Sequence, residues 1–312
     1  MTGCGPAHPE TVTLNWLTLP DLPPAPGESI QPGLAGPVAG VAGNCLLVAG
    51  GANFPDGPPW RGGAKQYHDD VYLLEESGDG LFKWKTLPER LPGELAYPAC
   101  LSLPAGILCI GGENRSGPVA SVNLFSLSDG RLVAKAFPEL PEALSACGAA
   151  IIGLKIYVAG GMGPNGAVAS FYCLDMQDTA AGWKPLAPLP VALSHAVVVS
   201  ADDTAGPGVY VIGGRNKTGE LSTFLGSVWK YDTVNDKWLK DSEIAEDPKP
   251  IALSAGTGSA TGRHTILLFG GDRGMLFNRT EEMNAAIAKA DEPAKGELLN
   301  RKDSLLTSHP GF

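Results

Sequence analysis

Short apolar runs that close on a pair of glycines recur along this chain. They read LLVAGG ending at Gly50-Gly51, ILCIGG at Gly111-Gly112, IYVAGG at Gly160-Gly161, VYVIGG at Gly213-Gly214 and ILLFGG at Gly270-Gly271. Each run is continuously apolar and rich in β-branched residues, which predicts an inner strand packed on both faces, with the glycines permitting a tight exit. A loop follows each pair. Beyond it DDVYLLE, SVNLFSL, SFYCLD and SVWKYD alternate as third strands do. KWKTLPERLP, KAFPELP, GWKPLAPLP and KWLKDSEIAEDPKP then read as fourth strands whose prolines suit an outer edge. A period of about 50 residues turns the chain into one repetitive domain rather than two ordinary ones.

A Gly pair closing the second strand, a tyrosine or hydrophobe in the third and a tryptophan in the fourth resemble the Kelch family, over residues 14 to 278. The resemblance implies an all-β propeller of four-stranded blades around a central channel. LNWLTLPDLP has the fourth-strand signature yet precedes the first Gly pair, so it is expected to complete the last blade, as a terminal strand that seals the ring. After Gly271 no Trp-bearing strand and no sixth Gly pair follows. Residues 279–312 are instead polar and helix-prone, broken by Pro293. The expectation is a six-bladed protein whose last blade is largely absent from this chain; closure as five blades is the alternative. A ring lacking a blade leaves two apolar walls in water, which predicts self-association.

Gly at 41, Pro at 27 and a charged fraction of 18% agree with short strands and tight turns. The net charge of −10 argues against nucleic acid or an acidic membrane as partner, since both need a basic footprint. No apolar run approaches the roughly 20 residues that span a bilayer, and MTGCGPAHPE has no signal-peptide core, so the chain as written reads as soluble. Thr2-Gly3-Cys4 has the form of the end of a bacterial lipoprotein signal; a true start upstream of Cys4 would give a periplasmic or lipid-anchored form. Cys4, Cys45, Cys100, Cys109, Cys147 and Cys173 show no metal-ligand spacing and read as small core residues. No metal and no cofactor is expected.

The first loop, GGANFPDGPPWRGGAKQYHDDVYLL at residues 50–74, is similar to that of the cyclically permuted mutarotases, Kelch-repeat proteins resembling bacterial N-acetylneuraminate epimerases. The early WLTLPDLP strand fits such a permutation. So does a long helical insertion after GGDRGMLFN. The resemblance implies interconversion of sialic acid anomers by a Glu and an Arg about six residues apart in an NGE-type loop. That blade would follow Phe312, so no catalytic residue is assigned; Glu113 in GGENR occupies the same slot within its own blade, which is not the same site.

The loops after the Gly pairs are expected to converge at the channel mouth, bringing Arg115, Arg215 and Arg273 together. Their planar forks suit the carboxylate of a small anionic sugar. In the first loop Asn53, Trp60, Lys65, His68 and Asp69 combine an aromatic platform with amide and charged neighbours, as a sugar requires. Tyr97 and His195 sit at blade entrances on the same expected face and are candidates for proton transfer. Two other functions compete. A noncatalytic Kelch interaction or sugar-binding module is the main one. A copper-radical oxidase would need a Tyr, Cys and two His around copper, and the five histidines here stand in unrelated surroundings.

Overall fold

The computed structural model describes residues 12–308 apart from 79, 205, 218, 220, 247 and 263. Thr2-Gly3-Cys4 and Phe312 therefore lie outside the described residues. Four four-stranded antiparallel sheets succeed one another along the chain. Blade 1 is Val38–Ala42, Cys45–Ala49, Val71–Glu76 and Phe82–Thr86; blade 2 is Ala99–Leu103, Gly106–Ile110, Val122–Ser128 and Arg131–Ala136. Blade 3 is Gly148–Ile152, Lys155–Ala159, Phe171–Asp175 and Lys184–Pro185; blade 4 is Val197–Asp203, Gly206–Ile212, Ser227–Asp232 and Lys237–Glu243. The first strands of blades 2 to 4, with Gly256–Ala260, line a channel of about 510 Å³. This is the expected all-β, Kelch-type propeller.

Sheets pack face on face because both faces of the inner strands are apolar: Val38, Leu47 and Val71 of blade 1 share one core with Ile107, Cys109 and Phe125 of blade 2. Every residue of Gly106–Ile110 is buried. The Gly pairs make the seams. Gly51, Gly112, Gly161 and Gly214 each donate a backbone N–H to the carbonyl of a leucine in the next blade, namely Leu95, Leu144, Leu193 and Leu253, at 2.7–2.9 Å. The first glycine of each pair has φ between 58 and 65°, and a Cβ there would collide with that same leucine carbonyl. Only glycine meets both demands.

The fifth repeat has two strands, and helices follow them where a helix-prone segment was expected. Ser254–Thr261 and Thr265–Asp272 form a two-stranded hairpin. The chain then turns at Gly274 (φ 84°) into helix α1, Met275–Lys289, and after the break at Pro293 into α2, Ala294–Thr307. The helical unit thus begins before residue 279, because Gly274, two residues past the strand end at Asp272, takes the left-handed backbone that starts the helix.

The segment LNWLTLPDLP forms no strand, contrary to the sequence expectation. Its position nevertheless repeats a feature of the blades. Trp183 Nε1 donates to the carbonyl of Pro138 and Trp238 Nε1 to that of Ala187, each in the crossing that leaves the preceding blade, at 2.8 and 2.9 Å. Trp84 Nε1 donates to Pro20 at 2.8 Å. Residues around Pro20 therefore stand where a preceding blade's outer crossing would. They lack a strand because a strand needs a hydrogen-bonding neighbour, and none pairs with them among the described residues. Trp16, the counterpart of Trp84, is 82% exposed and meets the ring of Phe269 edge-on, 6.2 Å between centroids.

Candidate functional site

Five residues at the start of the first strands hold a left-handed backbone: Gly36, Tyr97, Ala146, His195 and Ala255, with φ between 47 and 57°. They are bonded in series. The N–H of Tyr97 donates to Gly36, that of Ala146 to Tyr97, that of His195 to Ala146 and that of Ala255 to His195, at 2.6–2.9 Å. This belt circles one mouth of the channel and places Tyr97 and His195 on the same face, as expected. Such backbone costs of order 1 kcal/mol or more for a non-glycine, so the belt bonds hold it.

The residue directly after each Gly pair joins this face by bridging to the residue before the belt: Glu113 to Ala96, Met162 to Ser145, Arg215 to Ser194. Glu113 is half-buried. Its Oε1 accepts from Lys65 Nζ at 2.7 Å and from Tyr67 Oη at 2.8 Å, and its Oε2 accepts from Ser145 Oγ at 3.0 Å. Burial alone would raise its pKa. The hydrogen bonds from Lys65, Tyr67 and Ser145, with the Lys65 charge, outweigh burial and hold the carboxyl below its ordinary value. Lys65 also sits over the rings of Tyr67 and Tyr97, 4.7 and 4.5 Å from their centroids. Burial opposes its charge, but Glu113 and Tyr67 raise its pKa above the ordinary lysine value.

Arg215 lies across the same mouth. Its Nη2 is 3.3 Å from His195 Nε2, and its Cζ is 4.6 Å from the ring centroid of Phe277 in α1. A guanidinium only donates, so Nε2 accepts and Nδ1 carries the proton, which it donates to Ser194 Oγ at 2.9 Å. Burial first, and then the Arg215 charge, lower the His195 pKa to about 4, so the imidazole is neutral at pH 7. Burial also lowers the pKa of Arg215, against the opposing charges of Asp272 and Glu281; an arginine stays charged regardless. Among the described residues no carboxylate forms an ion pair with it. Ser254 bears the same relation in the repeat to Arg215 that Ser145 bears to Glu113. Its hydroxyl is buried without a hydrogen-bond partner among the described residues.

The other expected residues are placed elsewhere. Arg115 is turned out to solvent and grips Glu94 through both Nε and Nη2, and Arg273 pairs with Glu246 through Nη1 and Nη2. The three arginines do not converge, because they stand at different offsets: Arg215 follows its Gly pair directly, whereas Arg273 is second and Arg115 third. Asp69 is taken by Arg90 at 2.6 Å, and Asp70 shares that arginine at 2.9 Å. Asn53 Oδ1 meets His68 Nε2 at 2.8 Å, and both line a separate cavity of about 500 Å³ against residues 25–34. Trp60 lies in a short 3-10 turn, Pro59–Arg61, facing the helices. Sequence reasoning missed Tyr67, Ser145, Ser254 and Phe277. Tyr67 and Ser145 had a signal, being two residues from Lys65 and two before Cys147 in a repeated L-S-x entrance, while Phe277 had none.

A sequence profile described as N-acetylneuraminate epimerase matches residues 7–134 and 137–302. The chain belongs to this family. The N-acetylneuraminate epimerase of Brucella melitensis is 41% identical over 112 residues, 33% of this chain and 27% of that protein. Its namesake in Salmonella enteritidis is 37% identical over 132 residues, 39% of this chain and 33% of that protein. The matched stretches thus span about a third or less of these relatives' length. The solved structure of YjhT superposes with a TM-score of 0.62 at 14% identity, covering 78% of this chain and 80% of that one, which shows a common fold. Among the described residues no helix of this family member is long and apolar enough to cross a membrane, and no group of three or more His, Cys, Asp or Glu could hold a metal.

Proposed function

We propose that this chain carries the sugar-acid site of an isomerase that interconverts the anomers of a sialic acid such as N-acetylneuraminate. The observation that carries the reading is the contrast among the three arginines. Arg115 and Arg273 are neutralised by Glu94 and Glu246, whereas Arg215 is half-buried at the channel mouth with no carboxylate partner among the described residues. A desolvated guanidinium fork in that state suits a ligand carboxylate.

A sialic acid bears its carboxylate on the anomeric carbon, so Arg215 would fix that carbon at the mouth. Opening the ring takes a proton from the anomeric hydroxyl and gives one to the ring oxygen; closing on the other face of the carbonyl reverses both transfers. Glu113, ionised and half-buried, would accept the first proton. Lys65 and Tyr67, which donate to Glu113, would return it. His195 is neutral and hydrogen-bonded to Arg215, which steadies the fork without cancelling its charge.

The test compares binding and anomeric exchange, both read by NMR, in Arg215→Ala, Arg215→Lys, Arg115→Ala and Arg273→Ala. A charge-assisted bidentate contact contributes roughly 1.5–3 kcal/mol, so both Arg215 variants should bind at least about tenfold more weakly. The solvated pairs should matter little. Equal affinity for the acid and for a neutral N-acetylhexosamine would overturn the reading and favour a noncatalytic interaction module.

A further inference from the structure

Beside Arg215 the structure holds a second cavity. It measures about 680 Å³ and lies between the first loop, α1 and α2. Pro59 and Trp60 form one wall, Leu276, Phe277 and Thr280 of α1 another, and Leu306 of α2 the floor. Two latches fix these walls. Arg61 donates to both carboxylate oxygens of Asp303 at 2.6 and 2.8 Å. Glu281 accepts from Lys217 Nζ at 2.8 Å and from the Ser222 N–H at 2.6 Å, tying α1 to the loop of blade 4. The cavity is therefore a built space between clamped elements.

Its position decides what enters it. Phe277 lies under the Arg215 guanidinium and also lines the cavity, and Asp272 and Glu281, whose charges act on Arg215, line it too. A ligand whose carboxylate rests on Arg215 thus has its substituents at the cavity's opening. The lining that Trp60, Leu276, Phe277 and Leu306 present is apolar, so the favoured substituent is a hydrocarbon one. An acetyl group offers a single methyl to a space of a size that takes whole small molecules.

Resting on the reading of Arg215 given above, we propose that this cavity is a subsite for the N-acyl chain and that it selects sugar acids with acyl groups longer than acetyl. Each methylene moved from water into the cavity gains about 0.8 kcal/mol, equivalent to roughly fourfold in affinity.

The experiment titrates the 312-residue chain with N-acetyl-, N-propanoyl-, N-butanoyl- and N-pentanoylneuraminate. Affinity is expected to rise about two- to fourfold with each added carbon. Thr280→Trp, which fills the cavity from α1, should flatten that rise, and Trp60→Ala should reduce it if the bulkier variant does not fold. Arg215→Ala should weaken every member by a similar factor and leave the slope. A flat or falling series with the acetyl compound still bound through Arg215 overturns the subsite alone. No binding by any member overturns both this inference and the function on which it rests.

Discussion

The N–H of Gly112 donates to the carbonyl of Leu144 at 2.8 Å, and the Cα of Gly111 lies so close to the same carbonyl that no Cβ fits. The equivalent glycine of the fifth repeat, Gly270, has no heavy atom within 4 Å of where its Cβ would be, although its φ of 63° is the same. Strain and collision are thereby separable. Ala in a left-handed backbone costs about 1–2 kcal/mol, so Gly270→Ala should lower stability by about that much and Gly111→Ala by about 3 kcal/mol or more. Urea unfolding of both variants checks this; equal losses would show that the seam carbonyl yields to the methyl.

Glu113→Gln keeps the shape of the side chain and removes its charge and its capacity as a base. Anomeric exchange should fall about a hundredfold or more, the usual scale for a lost general base, while the thermal transition remains cooperative. NMR lineshape or exchange spectroscopy on the two anomers reads the rate. Undiminished exchange would put the base elsewhere, in the NGE-type loop that the mutarotase resemblance implies.

His195 makes a pH prediction whose sign follows from its neutrality. Its pKa is about 4 in the fold against an ordinary 6.5. Between those values the unfolded chain binds a proton that the folded chain refuses, so stability present above pH 6.5 is lost as pH falls toward 4. The loss reaches about 3 kcal/mol at most. Glu113, held low, begins to contribute only toward the acid end of that window. His195→Asn, which tolerates the left-handed backbone, should flatten the dependence between pH 6.5 and 4.5 in chemical denaturation. An unchanged slope would show that the imidazole is solvated.

Self-association is expected of the 312-residue chain. Thr265–Asp272 pairs only with Ser254–Thr261 among the described residues, leaving its outer edge unpaired, and Trp16 is exposed nearby. Open strand edges recruit further strands. Light scattering across a concentration series should show mass rising above 32.3 kDa; a concentration-independent monomer would mean that residues 12–34 cover the edge.

What the sequence made legible was local. The Gly pairs, the apolar runs before them and the Trp-bearing fourth strands are each written within about a dozen residues, and all five Gly pairs take the same backbone. The side-chain directions were less legible. Glu113 and Arg215 face the mouth because each follows its Gly pair directly, whereas Arg115 lies past the two-residue strand Glu113–Asn114, in the turn before Gly117, where strand alternation no longer sets its direction. Trp60 and Phe277 meet only because α1 and α2 fold back over the first loop, more than 200 residues away in sequence. The strand expected at LNWLTLPDLP failed for the complementary reason: its own residues suit a strand, and its neighbour is not among those described.

The belt of backbone bonds through Gly36, Tyr97, Ala146, His195 and Ala255 has an evolutionary consequence. Its links are main-chain atoms, so the spacing and orientation of the five side chains do not depend on what those side chains are. Here they are hydrogen, phenol, methyl, imidazole and methyl. Three of the five positions hold nothing bulky or reactive. A descendant could place a new acid, base or aromatic platform at Ala146 or Ala255 in one codon change or a few, without redesigning the frame that aims it; at Gly36 a Cβ would meet the Tyr97 ring at 2.4 Å. The mouth behaves as a numbered dial whose markings can be rewritten one at a time.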